Sequence, residues 1–540
     1  MHHLLAGAPG VKDCYDVVVV GFGAAGACAA IEAARAGASV LVLERYDGGG
    51  ATKLSGGVVY AGGGTNPQKA AGVEDDVESM LRYLVRETEA GVDEAVLRAF
   101  CEASRDNLAW LESMGLHVPP KLFPEKTTQP PDGFGLYYSG NEQPYQDSAR
   151  PAARGHVPGG KGMTGGEIFE ALRRAARAAG VEIRTHAKAE RLVADGEDGI
   201  RGVELSDLSG LAAGAHGLLG KLGMVGGPVP ALGRSLEKRG KRSIVAAKTV
   251  VLAAGGFVFN AQMMKRYAPA YAGCMPLGTP GDDGSGIELG QAVGAAVSAM
   301  DRCAASRFLC PPEAFVTGLL VNQNGERFCD ETLYGATLSA HIAQQPHARA
   351  WLIVDSRQHE LADRQLDEEE DVVDQPLEEI VTGRRNALIF RKLTGSGNLH
   401  LNRKRADSLS ELARKIGVPP TALEETVRAY NAVATGSAKD GFGKRPAYVA
   451  AVQEAPFFAV DCRLDSSLFP SPCLTLGGLK TDALTAQVLD ETGAPIRGLF
   501  AAGRNAAGVC SRSYVSGLSI ADCVFSGRNA GRSAAKVARN

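Results

Sequence analysis

A chain of 540 residues is too long for one hydrophobic core, so two or more domains are expected. With 45% hydrophobic and 22% charged residues it reads as a globular protein, and a net charge of −3 gives no reason to expect nucleic acid as a partner. The 11 cysteines, an odd number with no CxxC pair, read as free thiols of a reducing compartment, so neither a disulfide framework nor a metal site is expected. The opening stretch is too short and broken for a signal peptide. No uninterrupted apolar run reaches the ~18 residues of a membrane span. A cytoplasmic location is the expectation.

The first strong pattern is YDVVVVGFGAAGACAAIEAARAGASVLVLERYDGGG, from Tyr15 onward. Val17 to Val20 form a β-branched apolar run, as in a strand buried on both faces. Gly21, Gly23 and Gly26 follow at GxGxxG spacing. An alanine-rich helix then runs from Ala24 to about Ala36 and ends at Gly37. A second apolar run, Ser39 to Leu43, leads to Glu44. Strand, glycine turn, helix, strand and acid together form a dinucleotide-binding βαβ unit. Gly21 allows the tight turn, Gly23 lets a pyrophosphate approach the backbone, and Gly26 packs helix on strand. Glu44 is placed to accept hydrogen bonds from ribose hydroxyls.

The loop GGGATKLSGGVVYAGGGT (Gly48 to Thr65) supplies small and hydroxyl residues after the acid and suits a flavin better than a nicotinamide. AAKTVVLAAGGFVFN (Ala246 to Asn260) reads as a strand entering a double glycine. GAPIRGLFAAGRNAAG (Gly493 to Gly508) is another strand ending in small residues. Together these segments resemble the flavoprotein family of fumarate reductase and succinate dehydrogenase, which includes the 3-ketosteroid dehydrogenases. The resemblance covers Asp16 to about Ala535. It implies an α/β fold: a discontinuous Rossmann-like FAD-binding domain with an inserted α+β catalytic or capping domain. The implied limits are 13–270 and 446–540 for the FAD-binding domain and 271–445 for the insertion. The implied FAD-binding residues are Gly21, Gly23, Ala24, Ala25, Gly26, Glu44, Arg45, Thr52, Lys53, Leu54, Ser55, Gly56, Gly57, Ala189, Ala254, Gly255, Gly503, Arg504, Asn505, Gly517, Leu518 and Ser519. Glu44 to Gly64 contains no histidine, so a non-covalent flavin is expected.

Within the inserted segment, GDDGSGIELGQAVGAAVSAMD (Gly281 to Asp301) reads as turn, helix and strand. FVTGLLVNQNGERFCDETLYG (Phe315 to Gly335) reads as a hairpin turning at Asn324-Gly325. The fumarate-reducing members carry a histidine two residues before the threonine of Thr-x-Gly-Gly, where this chain has Cys473. They also carry an arginine after GERF, where this chain has none. Tyrosines stand out instead: Tyr334 in DETLYG and Tyr514 in SRSYVSG. These resemble the catalytic tyrosines of the ketosteroid dehydrogenases. Tyr-x-Ser-Gly at 514–517 is the pattern of the branch that introduces the C4–C5 double bond. The Δ1 branch has Tyr-Pro-Gly-x-Gly. The resemblance therefore implies a 3-ketosteroid substrate. Tyr514 would be the base at C4, with Tyr334 and Ser516 as relay partners, and the 5α-hydride would go to flavin N5. A Δ1-dehydrogenase and a reductase of a small unsaturated acid remain the alternatives. An electron acceptor is also needed, and its identity is left open.

Three other features have two readings each. The aromatic stretch Asp132 to Gln146 walls an apolar pocket or packs locally. Ser516 belongs to the site or caps the last helix. Residues 208–243 are apolar and glycine-rich, then basic with Arg234, Lys238, Arg239, Lys241 and Arg242. They look like an insertion. They fit either a peripheral contact with the inner membrane face or a self-packed hairpin. His186 reads as structural.

Overall fold

The computed structural model describes residues 14–125, 127–195, 199–223, 229–310, 312–368, 395–466 and 468–539. Strand β1, Cys14–Val20, has Val17, Val18 and Val19 fully buried. A strand with no exposed face must lie inside a sheet covered on both sides. It does: β1 pairs in parallel with β2, Val40–Leu43, on one edge and with the long strand Lys241–Leu252 on the other. The strand order continues outward through Pro495–Ala501 and Gln487–Leu489 on one side and Glu182–Arg184 on the other. Helix α1, Ala24–Arg35, crosses from β1 to β2.

Alanines and glycines along α1 let the C-terminal helix Leu518–Arg539 lie directly on it. A Cβ on Gly531 would stand 2.2 Å from the Ala29 carbonyl oxygen, so these two backbones touch. The core on this face also takes in Phe100, Phe169, Phe500 and Phe525.

Residues 208–240 of the 208–243 segment lie between Ile200–Asp207 and Lys241–Leu252, which pair antiparallel, and 241–243 open the second of these strands. The segment is an insertion at a hairpin tip, and it forms two helices, Gly210–Leu222 and Val229–Glu237. No helix among the described residues is long and apolar enough to cross a membrane.

A second, antiparallel sheet runs in the order Leu319–Asn322, Ala350–Val354, Phe457–Asp461, Arg403–Ala406. It buries Leu319, Val321 and Ile353 against helices Leu409–Ile416 and Pro420–Ala434. Two expectations change here. The Asn324-Gly325 turn exists, with Gly325 N–H on Asn322 O at 3.1 Å, but the return limb makes only one bridge, Val321 with Arg327. Leu319–Asn322 pairs instead with Ala350–Val354. Strand Phe457–Asp461 belongs to this second sheet although it lies past the expected return at 446. The chain rejoins the large sheet only at Gln487.

Candidate active site and cofactor cleft

The ends of β1 and β2, the N-terminus of α1 and the last loop before the C-terminal helix enclose one cavity of about 1430 Å³. A single small-molecule pocket holds roughly 300–1,000 Å³, so this space admits a dinucleotide and a second molecule.

The glycine turn is shaped as its spacing predicts. A Cβ on Gly26 would stand 2.0 Å from the Gly21 carbonyl oxygen, so only glycine lets α1 close on β1. A Cβ on Gly23 would meet nothing closer than Thr52 Oγ1 at 3.7 Å, and Gly23 faces the cavity beside Ala24 and Ala25. A helix N-terminus with small residues aimed into a cleft is an anion site. Thr52 Oγ1 accepts the Ala24 N–H at 3.1 Å and holds the 48–57 loop against it. Glu44 Oε2 accepts the Phe22 N–H at 2.8 Å and Oε1 the Tyr46 N–H at 2.7 Å. Burial raises the Glu44 pKa, and these two N–H groups oppose the rise. The carboxylate is thereby fixed at the cavity wall with lone pairs left for hydroxyl donors.

Arg45 lines the cavity, but its guanidinium is bound by protein: Glu237 at 2.6 Å and Asp283 at 2.7 Å. Glu237 also meets His216 Nε2 at 2.9 Å. Burial pushes the Glu237 carboxyl up, but His216 and Arg45 outweigh it and bring it down to about 2. His216 stacks on Tyr46 at 4.8 Å, and Gly217, Gly220 and Lys221 line the cavity. The 208–243 insertion is thus part of the wall. His186 is structural, 3.3 Å from Asp47 and 3.3 Å from His216.

Of the expected cofactor residues, Gly21, Gly23, Ala24, Ala25, Glu44, Arg45, Thr52, Lys53, Leu54, Ser55, Gly56, Gly57, Ala189, Ala254, Gly255, Arg504, Gly517 and Ser519 line the cavity. Gly26, Gly503, Asn505 and Leu518 do not. Gly26 packs helix on strand, and Leu518 is fully buried in the core. A Cβ on Gly503 would meet the Ala25 side chain at 2.8 Å. Asn505 is buried and supports the wall from behind, its Oδ1 accepting the Ala254 N–H at 3.0 Å. Sequence spacing alone could not separate wall from backing. Arg504 donates to Asp282 at 2.7 Å, yet its Nη1 has no partner and is buried at the cavity. An unpaired buried donor at the wall, the glycine cradle and the cavity size all fit FAD.

At the other end, Tyr514, Tyr334 and Ser516 line the cavity with Phe308, Phe315, Pro312 and Leu474. Gly517 has φ +89° and a Cβ there would stand 2.7 Å from the Tyr60 nitrogen, so the turn after Tyr514 requires glycine. Ser516 does not cap the helix, which begins at Leu518. Its hydroxyl accepts from Tyr137 Oη at 3.0 Å. Burial lifts the Tyr514 phenol to about 12, although the Arg504 guanidinium and the Gly517 N–H favour its anion. Burial drives Tyr334 well above its ordinary value, Tyr514 and Tyr137 add to this, and the Ser516 hydroxyl opposes it. These four side chains form one electrostatically coupled group.

Behind them, Asn141 Oδ1 accepts the Tyr334 N–H at 2.6 Å. Asn141 Nδ2 donates to Glu87 at 2.9 Å, and Ser513 Oγ donates to the same carboxylate at 2.8 Å. Glu87 therefore ties both tyrosine loops together. The aromatic stretch 132–146 packs locally rather than walling the cavity: Tyr137 is fully buried and outside the lining, and its hydroxyl reaches the wall through Ser516 Oγ at 3.0 Å and the Thr128 carbonyl at 3.4 Å.

The FAD binding domain family matches residues 16–517. The 3-oxo-5-alpha-steroid 4-dehydrogenase of Comamonas testosteroni is 35% identical over 91% of this chain and 93% of its own. A probable fumarate reductase of Shewanella frigidimarina is 28% identical over 98% of this chain and 76% of its own. Among solved structures, 3-ketosteroid-delta4-(5alpha)-dehydrogenase from Rhodococcus jostii RHA1, in complex with 4-androstene-3,17-dione, superposes with a TM-score of 0.78 at 33% identity, covering 98% of this chain and 99% of that one. The chain belongs to this FAD-binding flavoprotein family of oxidoreductases, and FAD is its cofactor.

Proposed function

We propose that the protein dehydrogenates a 3-ketosteroid, introducing the C4–C5 double bond. The observation that carries this is that Tyr514, Ser516 and Tyr334 line the FAD cleft together with the apolar Phe308, Pro312, Phe315 and Leu474. The likeness to the Comamonas and Rhodococcus enzymes supports it. Removing a proton next to a ketone needs a base and donors for the developing enolate oxygen. Tyr514 takes the C4 proton, and its own phenolic proton moves on toward Ser516. Tyr334 and Ser516 position Tyr514 and carry the proton away. When bound, the flavin supplies the hydride acceptor for the neighbouring carbon. The apolar wall of Phe308, Phe315 and Leu474 excludes water from the reacting carbons. The cofactor is held without a covalent bond.

Reduction of a small dicarboxylate is disfavoured by the chamber's charges. Among the described residues, the lining cation that acts on Tyr514 is Arg504, and Asp282 already pairs with it. A bound dicarboxylate would leave charge uncompensated, at a cost of several kcal/mol. The test is anaerobic mixing with a 3-oxo-5α-steroid. Wild type should lose flavin absorbance, and Tyr514→Phe should keep FAD but reduce at least ~10²-fold more slowly. Bleaching of Tyr514→Phe at the wild-type rate would remove Tyr514 from its role.

The outer side of the 208–243 hairpin suits a peripheral membrane contact. Leu211 is 95% exposed, and Leu218, Leu222 and Leu232 are also exposed on the same hairpin. Basic residues Arg234, Lys238, Arg239, Lys241 and Arg242 accompany them. An exposed apolar patch with a basic rim fits an anionic lipid surface, from which a lipophilic substrate is collected. Wild type should sediment with anionic phosphatidylglycerol vesicles, and a variant with Leu211, Leu218 and Leu222 changed to Asp should not. Equal sedimentation of the two would refute the contact.

A further inference from the structure

Burial sets a problem for Tyr514. A phenol held near 12 is almost entirely protonated at neutral pH, so its proton needs an acceptor of lower pKa behind it. Of the carboxylates nearby, Glu87 is saturated. It accepts from Tyr83 Oη at 3.0 Å, Asn141 Nδ2 at 2.9 Å, Ser513 Oγ at 2.8 Å and Thr337 Oγ1 at 3.4 Å. Glu142 is not. It is 1% exposed, its Oε2 accepts the Gly140 N–H at 2.8 Å, and its Oε1 has no partner.

Three more buried polar atoms in the same region lack a well-formed hydrogen bond: Ser139 Oγ, and Tyr60 Oη and Arg154 Nη1, whose side chains interact with each other. Arg154 is fully buried and spends its other nitrogens on Asp75, at 2.7 Å and 3.0 Å. Native interiors rarely leave such atoms unsatisfied, and several unsatisfied groups near one another mark internal water. The cluster is joined to the tyrosines. Ser139 O accepts the Ser516 N–H at 3.1 Å. A Cβ on the next residue, Gly140, would meet Val515 at 2.6 Å, so the 139–142 turn lies directly on the 514–516 loop. A Cβ on Gly155 would touch both Tyr137, at 2.6 Å, and Ser139, at 2.7 Å, so those two side chains are adjacent.

We propose that Tyr60, Ser139, Glu142 and Arg154 bind ordered water, and that Glu142 is the end of the proton relay that starts at Tyr514. This rests on the dehydrogenase reading above. The C4–H electron pair becomes the new C4–C5 π bond, and the C5–H pair leaves with the hydride to the flavin. The C4 proton goes to Tyr514 Oη as the phenol's own proton passes to Ser516; the Tyr137–Ser516 hydrogen bond reverses, so that Ser516 donates to Tyr137 and Tyr137 to the cluster water, which protonates Glu142 Oε1. Glu142 ends as a neutral carboxylic acid, and no other reactant is needed.

The electrostatics suit that task. Burial raises Glu142 to about 7, while Arg154 and the Gly140 N–H favour its charged form. The groups facing it are Tyr60 on strand Val59–Tyr60, Tyr83 and Glu87 on helix Val77–Glu87, Tyr137 and Tyr138 on the 136–138 segment, and Arg154. Arg154 is the cation among them, so removing it would raise Glu142 further.

Glu142→Gln tests the assignment, because it keeps shape and removes the proton acceptor. The wild-type rate of flavin reduction by a 3-oxo-5α-steroid should rise with pH through an inflection near 7. In Glu142→Gln that inflection should vanish and the rate fall roughly 10²-fold, with steroid affinity unchanged. Glu142→Asp should restore part of the rate. Reduced-minus-oxidised infrared difference spectra should show a new carboxylic acid band in wild type and none in Glu142→Gln. A Glu142→Gln enzyme with the wild-type pH profile, or a wild-type spectrum without that band, overturns the proposal. If Glu142→Gln does not fold, Ser139→Ala removes a link without touching the charge. It should slow reduction while keeping the inflection, and a wild-type rate would overturn the path. A wild type that no 3-ketosteroid bleaches would instead count against the dehydrogenase reading itself.

Discussion

At the scale of single residues, the proposed mechanism depends on hydroxyl groups that the fold buries together. Ser516 is the junction, since Tyr137 donates to it at 3.0 Å and it opposes the burial of Tyr334. Ser516→Ala should bind FAD and steroid as wild type does but reduce the flavin roughly tenfold to 10²-fold more slowly, as read by stopped-flow absorbance. An unchanged rate would mean that Ser516 carries no proton. Tyr514, Ser516 and Tyr334 were legible in the sequence because short motifs mark them. Tyr137 was not, since its partner lies 379 positions away and an aromatic-rich loop gives no sign of which hydroxyl points where. Glu142 was hidden for the same reason: a glutamate in a polar loop reads as surface, and only tertiary burial makes it otherwise.

At the scale of elements, the βαβ unit was readable almost to the residue. Its strand, turn and helix are each set by local constraints: β-branched residues, glycines and alanines. The hairpin expected over Phe315 to Gly335 turns at Asn324-Gly325 but closes with one bridge, because a strand's partner is chosen by burial across the sheet. Leu319 and Val321 gain more from packing against the Leu409–Ile416 and Pro420–Ala434 helices than from a local return strand. The 208–243 insertion was seen as an insertion, but its inner role was not. Its Glu237 clamps Arg45 at the cleft, and a lone acid in a basic run gave no hint of that. Glu237→Gln should loosen the clamp and weaken FAD binding by roughly tenfold or more, measured by flavin fluorescence on dilution. Because Glu237 sits near 2, wild-type retention should hold from neutral pH down to well below 4, absent other transitions. Unchanged FAD affinity in the variant would show that the clamp is independent of the cofactor.

At the scale of the whole molecule, one cavity of about 1430 Å³ joins two chemistries. Glycines, Glu44 and a helix N-terminus line it and fit the dinucleotide. Tyrosines and apolar side chains line it too, and in the proposed mechanism they receive the second molecule. The alternation of buried strands and helices made the dinucleotide half legible. The half proposed as catalytic is assembled from segments near 137, 334 and 514, and only the folded chain brings them together. The family relation is firm, but the family spans steroid and small-acid chemistry, so the regiochemistry rests on the Tyr514 site. The most direct test is product analysis after a single anaerobic turnover with a saturated 3-oxo-5α-steroid. The proposed mechanism requires a product with its new double bond at C4–C5. A product desaturated at C1–C2, with C4–C5 left saturated, would contradict it.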